Sequence, residues 1–169
     1  MKTTTKIIAV LSCLLLAHSV SAQKLAHINS QELLVSMPET DSAQKQLEKI
    51  AMEHDLALEE MSVEFNKKME DYNAKYNEMS DLVKASKEAE LQDLQKRVQA
   101  FQQTAEQDLQ NQRMKLFQPI QEKAVKAVND VSKEKGFTYV FDTATGVVVY
   151  MGDDAVDILP LVKAKLGIN

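Results

Sequence analysis

Residues 136–154, GFTYVFDTATGVVVYMGDD, have the pattern of a β-hairpin. Residues 137–141 and 147–151 are rich in aromatic and β-branched side chains, and the loop between them ends in Gly146. All four glycines of the chain lie at position 136 or later, so the long region before them has almost no turn signals. The sequence therefore predicts a small piece of sheet after a region of a different kind.

The first 22 residues predict a cleavable secretory signal peptide. Lys2 and Lys6 precede an apolar run over residues 7–17, and Val20, Ser21 and Ala22 form a cleavage site of the small-x-small type. The apolar run is too short to span a bilayer comfortably. We therefore expect cleavage after Ala22 and a mature chain outside the cytoplasm.

Cys13, the single cysteine, lies inside this predicted signal peptide. Lipidation of Cys13 is an alternative, and the apolar run that continues through Leu14, Leu15 and Leu16 argues against it. If Cys13 is removed with the signal, the mature chain has no thiol for a disulfide or for catalysis.

The mature chain is predicted to be acidic. Cleavage removes two lysines and leaves 18 basic against 25 acidic residues, a net charge of −7. This charge argues against nucleic acid as a partner.

Residues 41–135 predict a long helical region, because they contain no glycine and only one proline, Pro119. Two apolar stripes with helical spacing are separated by a weak region near residues 80–90, and we expect two antiparallel helices joined near Ser86. Pro119 is predicted to act as a hinge that kinks the returning helix. The first stripe comprises Leu47, Ile50, His54, Leu58, Met61, Phe65, Met69, Tyr72 and Tyr76, and the second runs from Leu91 to Val131.

Antiparallel helices would bring Gly136 back beside residues 24–29, so KLAHIN and FTYVF are expected in one small antiparallel sheet. Asp157 is a plausible N-cap for a last helix that ends at Gly167. Residues 147–149 are apolar on both faces, and one short helix covers only part of the sheet. We therefore expect other copies of the chain to cover the rest.

These patterns predict an α+β chain that is mainly α: a long antiparallel helical hairpin on a small antiparallel β-sheet body that oligomerises. The predicted organisation is a signal peptide at 1–22, an oligomerisation body at 23–39 and 136–169, and a hairpin at 40–135 with its tip near 80–90.

The sequence contains no recognisable catalytic motif, and we expect no enzymatic activity, cofactor or metal. His27 and His54 are more typical of structural histidines than of metal ligands. Asp153 and Asp154 follow a glycine and are typical of a solvated turn.

Methionines are the most distinctive side chains of the helical region, since they adapt to partners of varied shape. Met52 lies off the first stripe and is a candidate for contact with a partner. Met61 and Met69 lie on the stripe, so packing of one helix against the other is the alternative interpretation.

The order and spacing of these features resemble the Skp (OmpH) family of periplasmic chaperones for outer-membrane proteins. The resemblance covers the mature chain. It rests on KLAHINSQELLVSMPE at 24–39, the long helical region, QPIQEKAVKAVNDVSKEKGFTYVFD at 118–142, VVVYMG at 147–152 and the pair Asp157-Ile158.

The resemblance implies a periplasmic, ATP-independent holdase: a jellyfish-like homotrimer whose helical tentacles enclose unfolded outer-membrane β-barrel proteins. The net charge of −7 departs from the basic members of the family, which argues against contact with an anionic membrane surface. The implied client-binding residues are Met52, Met61, Phe65, Met69, Tyr72, Tyr76, Met79, Leu82 and Leu94. The implied oligomerisation residues are Leu25, Ile28, Val140, Val147 and Val149.

A structural or adaptor coiled-coil protein of the cell envelope is the alternative function. In that case the sheet would be an oligomerisation clasp and the helices a spacer. A rod-like coiled coil should bury its apolar stripes between tightly packed helices, whereas a holdase needs accessible apolar surface.

Overall fold

A computed structural model describes residues 23–168, so the predicted signal peptide and Cys13 lie outside the described residues. Two short 3-10 helices lie at Tyr76–Glu78 and Thr143–Thr145, in addition to the longer elements given below. The prediction of a mainly helical chain with a small strand pair is confirmed. In chain order the main elements are β1 (Leu25–Ile28), α1 (Ser30–Ser36), α2 (Pro38–Lys75), α3 (Asp81–Lys135), β2 (Tyr139–Asp142) and α4 (Leu159–Leu166).

The described chain divides into two compact units. The body unit comprises residues 23–30 and 127–167, and the hairpin unit comprises residues 31–126. Helix α3 begins in the hairpin unit and ends in the body unit.

Helices α2 and α3 are long because little in their sequences stops a helix. Pro38 lies at the start of α2, where its missing N–H is not needed. With 38 residues, α2 is about 57 Å long. Helix α3 continues through Pro119, which removes one backbone donor without ending the helix. The hinge role of Pro119 stays a prediction.

Side-chain pairs show that α2 and α3 run antiparallel within the hairpin unit. As the residue number rises along α2, the number of its partner on α3 falls. The pairs are Glu39 with Lys123, His54 with Asp108, Lys68 with Glu90 and Tyr72 with Glu88.

The helices are joined at residues 76–80, so the expected joint near Ser86 is wrong: Ser86 lies inside α3. A 3-10 turn at Tyr76–Glu78 is followed by extended backbone at Met79. The Ser80 hydroxyl then accepts a hydrogen bond from the Val83 N–H at 3.4 Å, as an N-cap residue does. The break therefore needs neither glycine nor proline.

Strands β1 and β2 are parallel, so the predicted antiparallel sheet is wrong. Their register pairs Leu25 with Tyr139 and Ile28 with Asp142. The reason is the connection: the two strands are joined through the helices rather than through a tight turn, and such a crossover suits parallel strands. His27 of β1 also hydrogen-bonds Val156 and Ile158 on its other side, so β1 lies between two neighbours.

Residues 147–151 form no strand, which corrects the predicted β-hairpin. The 3-10 helix Thr143–Thr145 occupies the predicted hairpin loop, and Gly146 ends it with a left-handed φ of 71°. The sheet described for residues 23–168 consists of β1 and β2.

The predicted last helix is confirmed as α4. The Asp157 carboxylate accepts a hydrogen bond from the Leu159 N–H at 2.8 Å, and Gly167 ends the helix with a φ of 72°. Ile158 and Val162 are fully buried and anchor this end of the body unit.

Candidate functional site

The candidate sites are apolar surfaces rather than a cluster of reactive groups. Within residues 23–168, no group of three or more His, Cys, Asp or Glu side chains could hold a metal ion. None of the helices in this part of the chain is long and apolar enough to cross a membrane.

The first candidate is the body surface, which we define as Leu25, Phe141, Val147, Val149 and Tyr150. All five side chains are exposed in the single chain, and Val149 is 96% exposed. They line a groove of about 440 Å³ between the strands and residues 147–152. Burial of such side chains is favourable in proportion to the apolar area removed from water, so this surface is suited to contact with another protein surface.

Asp142 fixes the end of β2 beside the residue that follows β1. Its carboxylate accepts hydrogen bonds from the Ser30 N–H at 3.1 Å, the Ser30 hydroxyl at 2.6 Å and the Ala144 N–H at 3.0 Å. Burial raises the pKa of Asp142, but the hydrogen bonds from Ser30 and Ala144 outweigh it and the pKa is lowered. The carboxylate is therefore held in its charged form.

The second candidate is the α2 ridge, which we define as Met52, Leu56 and Val63. All three side chains are exposed, and Met52 is 65% exposed. At about 100° per residue, their spacings of four and seven place them within about 40° of one another. Leu47, which is buried, lies on the opposite side of the helix, so the ridge points away from the interior of the hairpin unit.

The opposite face of α2 carries the predicted inner stripe and packs within the hairpin unit. Met61, Phe65 and Met69 are half-buried. His54 Nε2 lies 3.4 Å from Asp108 Oδ2, and the imidazole packs edge-on to Phe101 at 6.2 Å. His54 Nδ1 is buried without a hydrogen-bond partner. These contacts close the stripe between the helices.

Polar contacts hold the helices together near their joint. The Tyr72 hydroxyl donates a hydrogen bond to Glu88, which raises the pKa of Tyr72 to about 12. Lys68 and Lys87 pair with Glu90 and lower its pKa to about 2.

The Tyr76 ring extends this cluster. It packs at right angles to the Tyr72 ring at 5.5 Å and lies under the Lys84 ammonium, 4.4 Å from the ring centroid. An aromatic and ionic cluster therefore stabilises the joint that carries no glycine.

The family model for outer membrane proteins of the OmpH-like type matches residues 24–166. The chain belongs to the OmpH-like family. The resemblance seen in the sequence is thereby confirmed.

The OmpH-like chain is also similar to a solved structure. A crystal structure of a protein from Caulobacter crescentus CB15, described as an outer membrane chaperone (OmpH-like), superposes with a TM-score of 0.75 at 15% sequence identity. The superposition covers 89% of this chain and 87% of that chain. At this identity the similarity concerns the fold. No curated protein matches the OmpH-like chain by sequence.

The residues predicted to contact a client in this OmpH-like chain differ in accessibility. Met52, Tyr76 and Leu82 are exposed; Met61, Phe65, Met69 and Met79 are half-buried; Tyr72 and Leu94 are buried. Tyr72 and Leu94 therefore pack inside the hairpin unit in this state, and client contact by any of the nine stays a prediction.

Sequence reasoning missed Leu56 and Val63 of the α2 ridge. They lie off the inner stripe, so a search for helix packing passes over them. Their helical spacing from Met52 is the signal that would have found them.

The predicted oligomerisation residues also differ in how exposed their side chains are. Leu25, Val147 and Val149 are exposed, Val140 is half-buried and Ile28 is buried at 3% exposure. Ile28 is therefore buried within its own chain. Phe141 and Tyr150 belong to the exposed body surface and were missed, although their aromatic rings beside the valines were visible in the sequence.

Proposed function

We propose that this OmpH-like chain is an ATP-independent holdase chaperone of the periplasm, which binds unfolded outer-membrane β-barrel proteins and prevents their aggregation. The observation that carries the proposal is the exposure of apolar side chains along the long helices of the hairpin unit. Family membership and the similar fold of the Caulobacter protein described as a chaperone support it.

Client binding would consist of many weak contacts rather than one deep pocket. Exposed methionines such as Met52 and Met114 adapt to different side chains, which suits clients of varied sequence. Several such contacts on linked helices give a high combined affinity, and release needs no nucleotide.

We further propose that the body surface joins three copies of the chain. The support is the exposure of Val147, Val149 and Tyr150 in the single chain, because side chains of this kind are stabilised when a partner covers them. The number three follows the family resemblance. A cleavable signal peptide at residues 1–22 would deliver the chain to the periplasm.

A structural or adaptor coiled coil is the second candidate function. The closed inner stripe favours it, since Tyr72 and Leu94 are buried as they would be in a rod. The α2 ridge favours the holdase, because a spacer has no need of exposed apolar side chains on its outer side.

Turbidity tests the holdase. A urea-unfolded outer-membrane β-barrel protein is diluted into buffer containing the chain from residue 23 to residue 169, without ATP, at low and moderate salt. We expect turbidity to be suppressed near one oligomer per client, and to stay suppressed at moderate salt. Unchanged turbidity with several β-barrel clients would overturn the holdase and favour the coiled-coil adaptor.

A further inference from the structure

We propose that the α2 ridge selects basic client segments, in which apolar residues are flanked by lysine or arginine. The inference rests on the proposed holdase function and specifies the chemistry of the clients. It starts from Met52, Leu56 and Val63, which form one exposed apolar strip on the outer side of α2.

The helix around the ridge carries only negative charge. Residues 51–66 contain no lysine or arginine. They contain five acidic residues, all exposed: Glu53, Asp55, Glu59, Glu60 and Glu64. The ridge therefore lies in the most acidic part of α2.

Most of this charge is not neutralised within the chain. Glu53 lies 3.8 Å from Lys49, and Glu64 lies 3.7 Å from Lys68, so these two have partners at the ends of the stretch. Within residues 23–168, no ion pair joins Asp55, Glu59 or Glu60 to a basic side chain. These three carboxylates, which lie between Met52 and Val63 along α2, are free to pair with an incoming cation.

The acidic residues border the ridge on both sides. At about 100° per residue, Glu59 and Glu60 lie within about 60° of the centre of the ridge, on either side of it. Glu53 and Asp55 lie about 80° from the centre, again on opposite sides. An apolar strip between two acidic borders is complementary to a segment with apolar residues between basic ones.

The same arrangement disfavours other occupants. Nucleic acid and anionic lipid surfaces are repelled by the carboxylates. The corresponding ridge of a second copy carries the same charge, so ridge-to-ridge contact between copies is also repelled. A basic, unfolded polypeptide meets both the apolar and the electrostatic requirement.

The experiment compares two labelled peptides with identical apolar residues, one with lysine and one with glutamate at the polar positions. Binding to the chain from residue 23 to residue 169 is measured by fluorescence anisotropy at about 0.01 M and about 0.3 M salt. We expect the basic peptide to bind about tenfold more tightly at low salt, and this preference to shrink at high salt, where exposed charges are screened.

Variants locate the preference on the ridge. The E53Q/D55N/E59Q/E60Q variant is expected to bind the basic peptide about fivefold more weakly at low salt. The M52S/L56S/V63S variant is expected to weaken binding of the basic peptide at both salt concentrations. The matched control, E78Q/D93N/E106Q/E122Q, removes the same number of exposed charges outside α2 and is expected to keep the preference.

Three results would overturn the inference: equal affinity for the two peptides, an equal loss in the control variant, or a changed oligomeric mass in the E53Q/D55N/E59Q/E60Q variant. The last result would assign the ridge to contact between copies. Turbidity with a β-barrel client is measured in parallel. Suppression without a charge preference would refute the inference and leave the holdase standing, whereas absent suppression would refute the holdase itself.

Discussion

The Asp142 carboxylate holds the start of α1 beside the end of β2. We expect Asp142→Ala to lower the free energy of unfolding by about 1–3 kcal/mol, because two Ser30 groups and one backbone N–H lose their acceptor. Urea unfolding at fixed protein concentration measures this loss. Asp153→Ala, at an exposed turn position, is the control, and an equal loss in both variants would contradict the role of Asp142.

The lowered pKa of Asp142 gives this contribution a pH dependence. The charged carboxylate stabilises the folded chain at pH values above the ordinary pKa of 3.8, and the contribution is lost as pH falls through the lower pKa of the folded state. Comparison of wild type with Asp142→Asn should show a stability difference at neutral pH that shrinks below about pH 4.

At the scale of single residues, the sequence shows which side chains are apolar but not whether each one is buried within its own chain. Ile28 and Val149 were both assigned to the oligomer interface. Ile28 is buried within its own chain and Val149 is 96% exposed. Both positions carry an apolar side chain, and an apolar residue in the sequence does not tell burial within the chain from exposure on its surface.

At the scale of helices, the pairing of α2 with α3 depends on side chains such as Leu94, which is 1% exposed. We expect Leu94→Ala to destabilise the hairpin unit by about 2–5 kcal/mol, because it removes buried apolar area and leaves a cavity. Thermal unfolding followed by the helical circular dichroism signal measures the loss. Leu82→Ala, at a side chain that is 82% exposed, is the matched control. Equal melting temperatures of the two variants would contradict the packing role of Leu94.

The elements differ in how well the sequence predicts them. The apolar stripes predict α2 and α3 because helix packing repeats at short spacing along the chain. Their joint was misplaced because it is made by Tyr76–Glu78 and the Ser80 hydroxyl, without the glycine or proline that usually marks a turn. The direction of β2 relative to β1 was also missed, since it depends on the path of the chain through more than a hundred intervening residues.

At the scale of the whole molecule, the body surface is proposed to hold the copies together. We expect Val149→Asp to dissociate the oligomer, because burial of an unpaired carboxylate in an apolar interface is strongly unfavourable. Light scattering measures the mass, and circular dichroism checks that the helices persist. Val125→Asp, at an exposed position in the hairpin unit, is expected to keep the native mass. A Val149→Asp variant of native mass would contradict the assignment of this surface.

The long separation in sequence between β1 and β2 bears on the order in which parts of the chain fold. Ser30 and Asp142 are 112 positions apart, so their contact closes a very long loop, whereas each helix forms from contacts within a few residues. When the chain is made from its amino terminus, α2 can therefore form long before β2 is available to pair with β1. The body unit can form only after β2 and residues 156–158 have been made, and until then β1 has no neighbour to pair with.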